Sequence, residues 1–506
     1  MTVGIGERLA FEDVMAVAAL GERVHLAPGV AERVAASRRI VEETAAESRA
    51  VYGVNTGVGH LANVRIDPAD ATALQHSLVR AHATAVGSPL PSGIVRAMLL
   101  LKARTFAFGN SGVRLEILRR IADLLNHDIH PIVPAQGSLG ASGDLAPLAH
   151  MALAIVGEGD VEHEGSIVSA ESALAKAGLD PLPLTQKEGL SLINGTEGML
   201  ACGIFAFEGA KEIAETADIT GAMSVEACLG TDASFREDVV SLRKHPGAQT
   251  VAANVRRLLA GSEIVASHKE SEHLIQDAYS LRCIPQVHGA YRDALDYVRS
   301  TLEAELESAI DNPSVLPATR EIAPSGNFHG EALGLAMDHL SLCLTGFATI
   351  AERRIARLVD PALSNGLPAF LTTDPGRRSG FMIAHYTAAS ITSENKSLCA
   401  PASADSIPTS AGQEDHVSMG LTSARKALAV LANTQKVIAV EALVAAQGID
   451  LRGQTPGRGT RVARHVVRSV SPYLEADRSL SAEIEAVAAL VADGSLSATV
   501  TEQTAG

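Results

Sequence analysis

Apolar residues recur at helical spacing over long stretches of the second half of this chain. Across residues 329–359, Leu333, Met337, Leu340, Leu344 and Phe347 fall on one stripe. The run stops before Asp360-Pro361, where a proline ring would clash with the preceding helical turn. Across residues 424–446, Leu428, Leu431, Ile438, Ala442 and Ala445 form a second stripe, interrupted by Gln435. Both patterns predict core helices. The loop "LRGQTPGRGT", residues 451–460, then separates a final polar helical region. The N-terminal part reads differently. Turn signals crowd "VYGVNTGVGH", "AVGSPLPSG", "HPIVPAQGSLGASG" and "GLDPLPLTQKEG", so short helices should alternate there with loops. The pattern predicts a mainly α protein in two parts. A loop-rich N-terminal domain covers residues 1–202, and a long-helix bundle domain with a C-terminal helical region covers residues 203–506.

Composition narrows the partners. The chain has 506 residues, 46% of them hydrophobic and 20% charged, which is a globular balance with ample material for a core. Its 42 Lys+Arg against 58 Asp+Glu give a net charge of -16. Such a surface repels nucleic acid and anionic membranes, and favours small-molecule partners. Five scattered cysteines without a CxxC pair argue against a disulfide framework and a thiolate zinc site. The opening "MTVGIGERLAFEDVM" lacks a basic stretch followed by an apolar core, and no uninterrupted apolar run approaches about eighteen residues. The expected location is the cytoplasm.

Familiar motifs fail. There is no Walker A sequence, no GxGxxG after a predicted strand and no G-x-S-x-G elbow. "HKESEH", residues 268–273, has the wrong spacing for a zinc-binding HExxH and reads as a solvated helix face, so no metal ligand set is assigned. One stretch asks for a chemical explanation: "GSLGASGDLAPLAH", residues 137–150. Its small residues allow a turn, but they also allow a reaction. With little bulk at Ala141-Ser142-Gly143, the Gly143 nitrogen can attack the Ala141 carbonyl carbon. Loss of that oxygen as water, and of the Ser142 hydroxyl as a second water, leaves a methylidene on an imidazolone ring. Other loops hold polar residues in apolar or glycine-rich settings: Tyr52 in "VYGVNTGVGH", Asn194 in "LINGTEG", and Gln276, Tyr279 and Arg282 in "QDAYSLRCIPQ". Phe328 stands in "SGNFHG", and Gln413, Glu414, Asp415 and His416 stand together in "SADSIPTSAGQEDHVSM".

Taken in order, these segments resemble the aromatic amino acid ammonia-lyases over roughly the whole chain, and most closely the branch that acts on histidine. The resemblance implies a fumarase/aspartase-like helical fold whose N-terminal domain bears 4-methylideneimidazole-5-one (MIO), made from Ala141, Ser142 and Gly143 without an external cofactor. It implies elimination of ammonia from L-histidine to give urocanate. The electrophile would bond to the substrate amine and make ammonia a better leaving group. By the same resemblance Tyr52 is the base, with Tyr279 and Asn194 also catalytic. His82, Gln276, Arg282, Phe328 and Glu414 then hold the substrate, Arg282 through its bidentate fork on the carboxylate. Glu414 stands where phenylalanine and tyrosine lyases usually have Gln, and a carboxylate suits an imidazole N–H better than a phenyl edge. A homotetramer with sites built from more than one subunit is also implied.

Some residues depart from the family pattern: Val58 between Gly57 and Gly59, Thr84 in "AHATA", and His385 in "MIAHYT". They are expected on or near loops that close over substrate. An MIO-dependent histidine 2,3-aminomutase, or an enzyme for another aromatic amino acid, is the alternative these departures leave open.

Overall fold

The computed structural model describes residues 2–47, 49–271 and 275–504, and they are mainly helical, with only short strands. Two compact units emerge. One gathers Met1–Phe205, Ser300–Asp338 and Pro401–Arg425; the other gathers Ala206–Arg299, His339–Ala400 and Lys426–Gly506.

In the first unit the helix Ser92–Ala107 is buried continuously from Ile94 to Ala107. Its enclosed charges, Arg96, Lys102 and Arg104, are all met, as burial in a low-dielectric interior demands. Arg96 Nε donates to the Val17 carbonyl at 2.8 Å, and Arg104 donates to the carbonyls of Glu305 and Ser308. Desolvation by burial brings the Arg104 guanidinium down to about 10. The neighbouring helix Leu115–Asn126 is strongly amphipathic and buries Ile117, Leu118, Ile121, Leu124 and Leu125. The strands make small ribbons. Thr2–Ile5 runs parallel to Arg23–Leu26, with Val3 opposite Val24, and Asp160–His163 lies between His130–Pro131 and Ser166–Ser169.

The second unit holds the greater part of two long helices, whose first turns are counted with the first unit. Glu331–Val359 ends before Asp360-Pro361 as the sequence pattern predicts. Gly420–Arg452 extends beyond the predicted stripe at both ends, so the expected loop narrows to the few residues before the next helix begins at Arg458. By length and composition these two helices are long and apolar enough to cross a membrane. Each nevertheless carries a fully buried charge, and these charges, Arg354 and Glu441, pair with one another. The Thr220 and Ser224 hydroxyls also donate to Glu441, each at 2.8 Å. Close by in this unit, Gly346 makes room for Tyr291: a Cβ there would lie 2.1 Å from the ring.

One local expectation needs correction. Residues 267–270 form turns after the short helix Glu263–Ala266, so the described part of "HKESEH" is no helix face, while Glu272 lies outside the described residues. The His268 ring nitrogens instead sit 2.9 Å from the Ile264 carbonyl and 3.1 Å from that of Gly230; His273 lies outside the described residues. His385 stands in the first turn of the helix Met382–Leu398, next to the loop that precedes it, and its Nε2 lies 2.8 Å from Glu352.

Candidate active site

The segment Ala141-Ser142-Gly143 is clamped from two sides. Upstream, the Met419 N–H donates to the Leu139 carbonyl at 2.8 Å, and the Ser418 hydroxyl donates to that of Gly140 at 3.1 Å. Downstream, the Asp144 N–H donates to the Gly195 carbonyl at 2.7 Å, and the Gly195 N–H donates to the Ser142 carbonyl at 3.3 Å. Gly143 has φ +76, and a Cβ there would sit 1.9 Å from the Gly195 oxygen. Only glycine fits. Asp144 then stands at the N-terminal boundary of the helix Leu145–Ile155 without a side-chain capping hydrogen bond. Its carboxyl accepts from the Ser138 hydroxyl at 2.8 Å and the Met199 N–H at 2.7 Å, and complete burial pushes it up to about 7.

Tyr52 lies in a glycine-bounded turn, where the Gly59 N–H donates to its hydroxyl at 3.2 Å. Gly53, at φ +70, allows that turn to pass Leu190, whose Cδ2 would be 2.5 Å from a Cβ. Across from Gly59, Ser410 and Ala411 both take φ +51, a left-handed conformation that costs non-glycine residues energy. This strained turn leads to Glu414. Its Oε2 accepts from the Thr409 hydroxyl at 3.0 Å, and its Oε1 accepts from the Ser142 hydroxyl at 3.4 Å.

Asn194 is held from beneath. Its Nδ2 donates to Asp311 Oδ1 and to the Asn312 carbonyl, each at 3.1 Å. Both partners can only accept, so the amide orientation is fixed and Oδ1 remains free. Asp311 is paired in turn with Lys187 at 2.8 Å, and Lys102 donates to the Asn194 carbonyl at 2.8 Å while pairing with Glu197 at 2.9 Å. Burial raises the Asp311 carboxyl, but Lys187 and the Asn194 bond outweigh it and hold it below its ordinary range.

These elements enclose a cavity of about 560 Å³ that Tyr52, Val58, His82, Ser142, Asn194, Asn312 and Glu414 help to line. An adjoining lobe of about 480 Å³ shares Tyr52, Ser142, Asn312 and Glu414 and adds Phe328. His82 ends the helix Ala71–His82 with Nδ1 2.8 Å from the Leu78 carbonyl, which makes Nδ1 the donor and leaves Nε2 as an acceptor. Thus Tyr52, His82, Ala141, Ser142, Asn194, Phe328 and Glu414 line one or other lobe. Gln276, Tyr279 and Arg282 belong to the other unit and are not among the residues lining either lobe. Tyr279 is 71% exposed, and the Arg282 guanidinium sits 4.7 Å from its ring centroid. No Arg or Lys lines either lobe among the described residues. Sequence reasoning missed Asp144, Lys187, Asp311, Asn312 and Thr409. The Asp-Asn-Pro run at residues 311–313 was a visible signal, since a turn of this kind often presents backbone and side-chain acceptors together.

The family model for aromatic amino acid lyase matches residues 9–469. The histidine ammonia-lyase of Natranaerobius thermophilus is 46% identical over 97% of both chains. Among solved structures, the histidine ammonia-lyase from Trypanosoma cruzi is 40% identical, with TM-score 0.91 over 99% of this chain and 96% of that one. The tyrosine aminomutase from Streptomyces globisporus is 38% identical, with TM-score 0.93 over 99% of both.

Proposed function

The chain belongs to the aromatic amino acid lyase family and acts as a carbon–nitrogen lyase on L-histidine, releasing urocanate and ammonia; we propose the following division of labour among its residues. The observation that carries it is the convergence of Tyr52, His82, Ser142, Asn194 and Glu414 on one cavity.

Ala141, Ser142 and Gly143 suit an MIO group. They are small, they are clamped at both ends, and Gly143 has no space for a side chain. That group supplies an electrophile for the substrate's amino nitrogen. Tyr52, on its glycine-bounded turn, takes the proton from the carbon beside the imidazole. Asn194 offers its free Oδ1 to N–H bonds of the amine, and the Asp311–Lys187 pair keeps that oxygen in place. His82 and Glu414 contribute acceptors, which suit an imidazole N–H and offer a phenyl ring nothing. Phe328 packs against the substrate in the adjoining lobe.

The lobes' lining lacks a cation for the substrate carboxylate, while Arg282, with Gln276 and exposed Tyr279, stands on the other unit. We therefore assign Arg282 to the carboxylate of a site in a neighbouring subunit, with Gln276 and Tyr279 beside it, in a cytoplasmic homotetramer. The likeness to a tyrosine aminomutase supports a second reading, in which the amine is retained and added back at the β-carbon. Product analysis with L-histidine separates the two. Urocanate with an equal amount of free ammonia supports the lyase, and accumulation of β-histidine supports the aminomutase.

A further inference from the structure

We propose that His329, Glu331 and His416 form a binding site for a divalent transition-metal ion, with zinc as its best occupant, at the edge of the active cavity. One ligand atom from each of the three residues lies within 4.8 Å of the others. Two imidazoles and one carboxylate form a nitrogen-and-oxygen donor set that suits zinc better than magnesium or calcium, and three protein ligands leave a coordination position open.

Two details fit metal ligation better than an ordinary polar surface. First, Glu331 Oε2 is shielded from solvent and accepts no hydrogen bond. The His416 Nε2 stands 3.8 Å away, too far for a hydrogen bond but suited to two ligands of one ion. Second, the His329 Nε2 lies 3.3 Å from the His416 carbonyl. A ring that donates there keeps its lone pair on Nδ1, and a carbonyl that fixes the tautomer is the usual support of a metal-bound histidine.

The position gives the site a consequence. His329 and His416 line the same lobe as Tyr52, Ser142 and Glu414. An ion there brings positive charge beside the Glu414 carboxylate and competes with the substrate for it. Zinc should therefore inhibit turnover, and a chelator should restore it. This consequence rests on the proposed function; the binding itself does not.

The test uses the whole enzyme, stripped with a chelator and dialysed, titrated with zinc sulfate by calorimetry in the absence of substrate. One saturable site per chain is expected, weakened at least tenfold by His416→Ala and by Glu331→Gln. No saturable site, or undiminished affinity in both variants, overturns the proposal. Loading the unsubstituted enzyme with cobalt(II) gives a reading that needs no variant to fold. Visible bands of a four- or five-coordinate ion with nitrogen ligands support the site, whereas a thiolate charge-transfer band or the weak spectrum of aqueous cobalt refutes it. Because these measurements need no substrate, their failure leaves the histidine reading untouched, and a failure of urocanate production leaves the metal site standing.

Discussion

Replacing Glu414 by glutamine tests substrate recognition, and the structure gives the change a direction as well as a size. Glu414 Oε2 already accepts from the Thr409 hydroxyl at 3.0 Å, which leaves Oε1 for the cavity beside Ser142. In Glu414→Gln the amide oxygen keeps the Thr409 bond, so the NH2 turns toward the cavity. An acceptor for the imidazole N–H becomes a donor facing another donor. The loss combines a charge-assisted hydrogen bond, about 1.5–3 kcal/mol, with a donor left unpaired, about 1–3 kcal/mol. A total near 3 kcal/mol corresponds to roughly a hundredfold fall in kcat/KM for histidine. Phenylalanine has no ring donor and should lose far less, so the ratio of the two kcat/KM values is the assay. Adding Thr409→Val removes the bond that orients the amide and should recover part of the histidine rate. An unchanged ratio, or no recovery in the double variant, would refute this role for Glu414.

Tyr52→Phe should lower turnover by roughly two to four powers of ten while leaving thermal stability nearly unchanged, because only the Gly59 N–H loses a partner; steady-state rates and a melting curve check both halves. Asp144 gives a pH prediction. Its folded-state carboxyl, raised to about 7 from 3.8, keeps a proton that the unfolded chain releases, so this group's stabilisation is full below about pH 4 and is lost as pH rises toward 7. Asp144→Asn should therefore gain stability relative to the parent enzyme across that range, by about 4 kcal/mol at most, and a pH-independent difference in denaturation midpoint would contradict it.

Much of this molecule could be read from its sequence where one local rule sufficed. The end of Glu331–Val359 followed from Pro361, and the clamped tripeptide followed from three small residues before an apolar helix. The support beneath Asn194 was hidden because it is made of charge. Lys102, Lys187, Glu197 and Asp311 are buried, and a sequence shows only their type, which ordinarily signals a solvated surface. Their pairing depends on segments far apart in the chain: Lys187 meets Asp311 across more than a hundred residues. The discontinuous units have the same origin, since Ser300–Asp338 and Pro401–Arg425 group with the N-terminal residues only through three-dimensional contacts.

Whether the chain makes its own electrophile can be read from the mass of one peptide. The peptide carrying Ala141-Ser142-Gly143, cut from active enzyme purified without added cofactor, should be lighter than its sequence mass by two waters. The same peptide from Ser142→Ala should keep the hydroxyl-free chain uncyclised, in a folded protein at least about a thousandfold less active, or about 4 kcal/mol higher in barrier. An unmodified peptide in fully active enzyme would rule out the self-made electrophile.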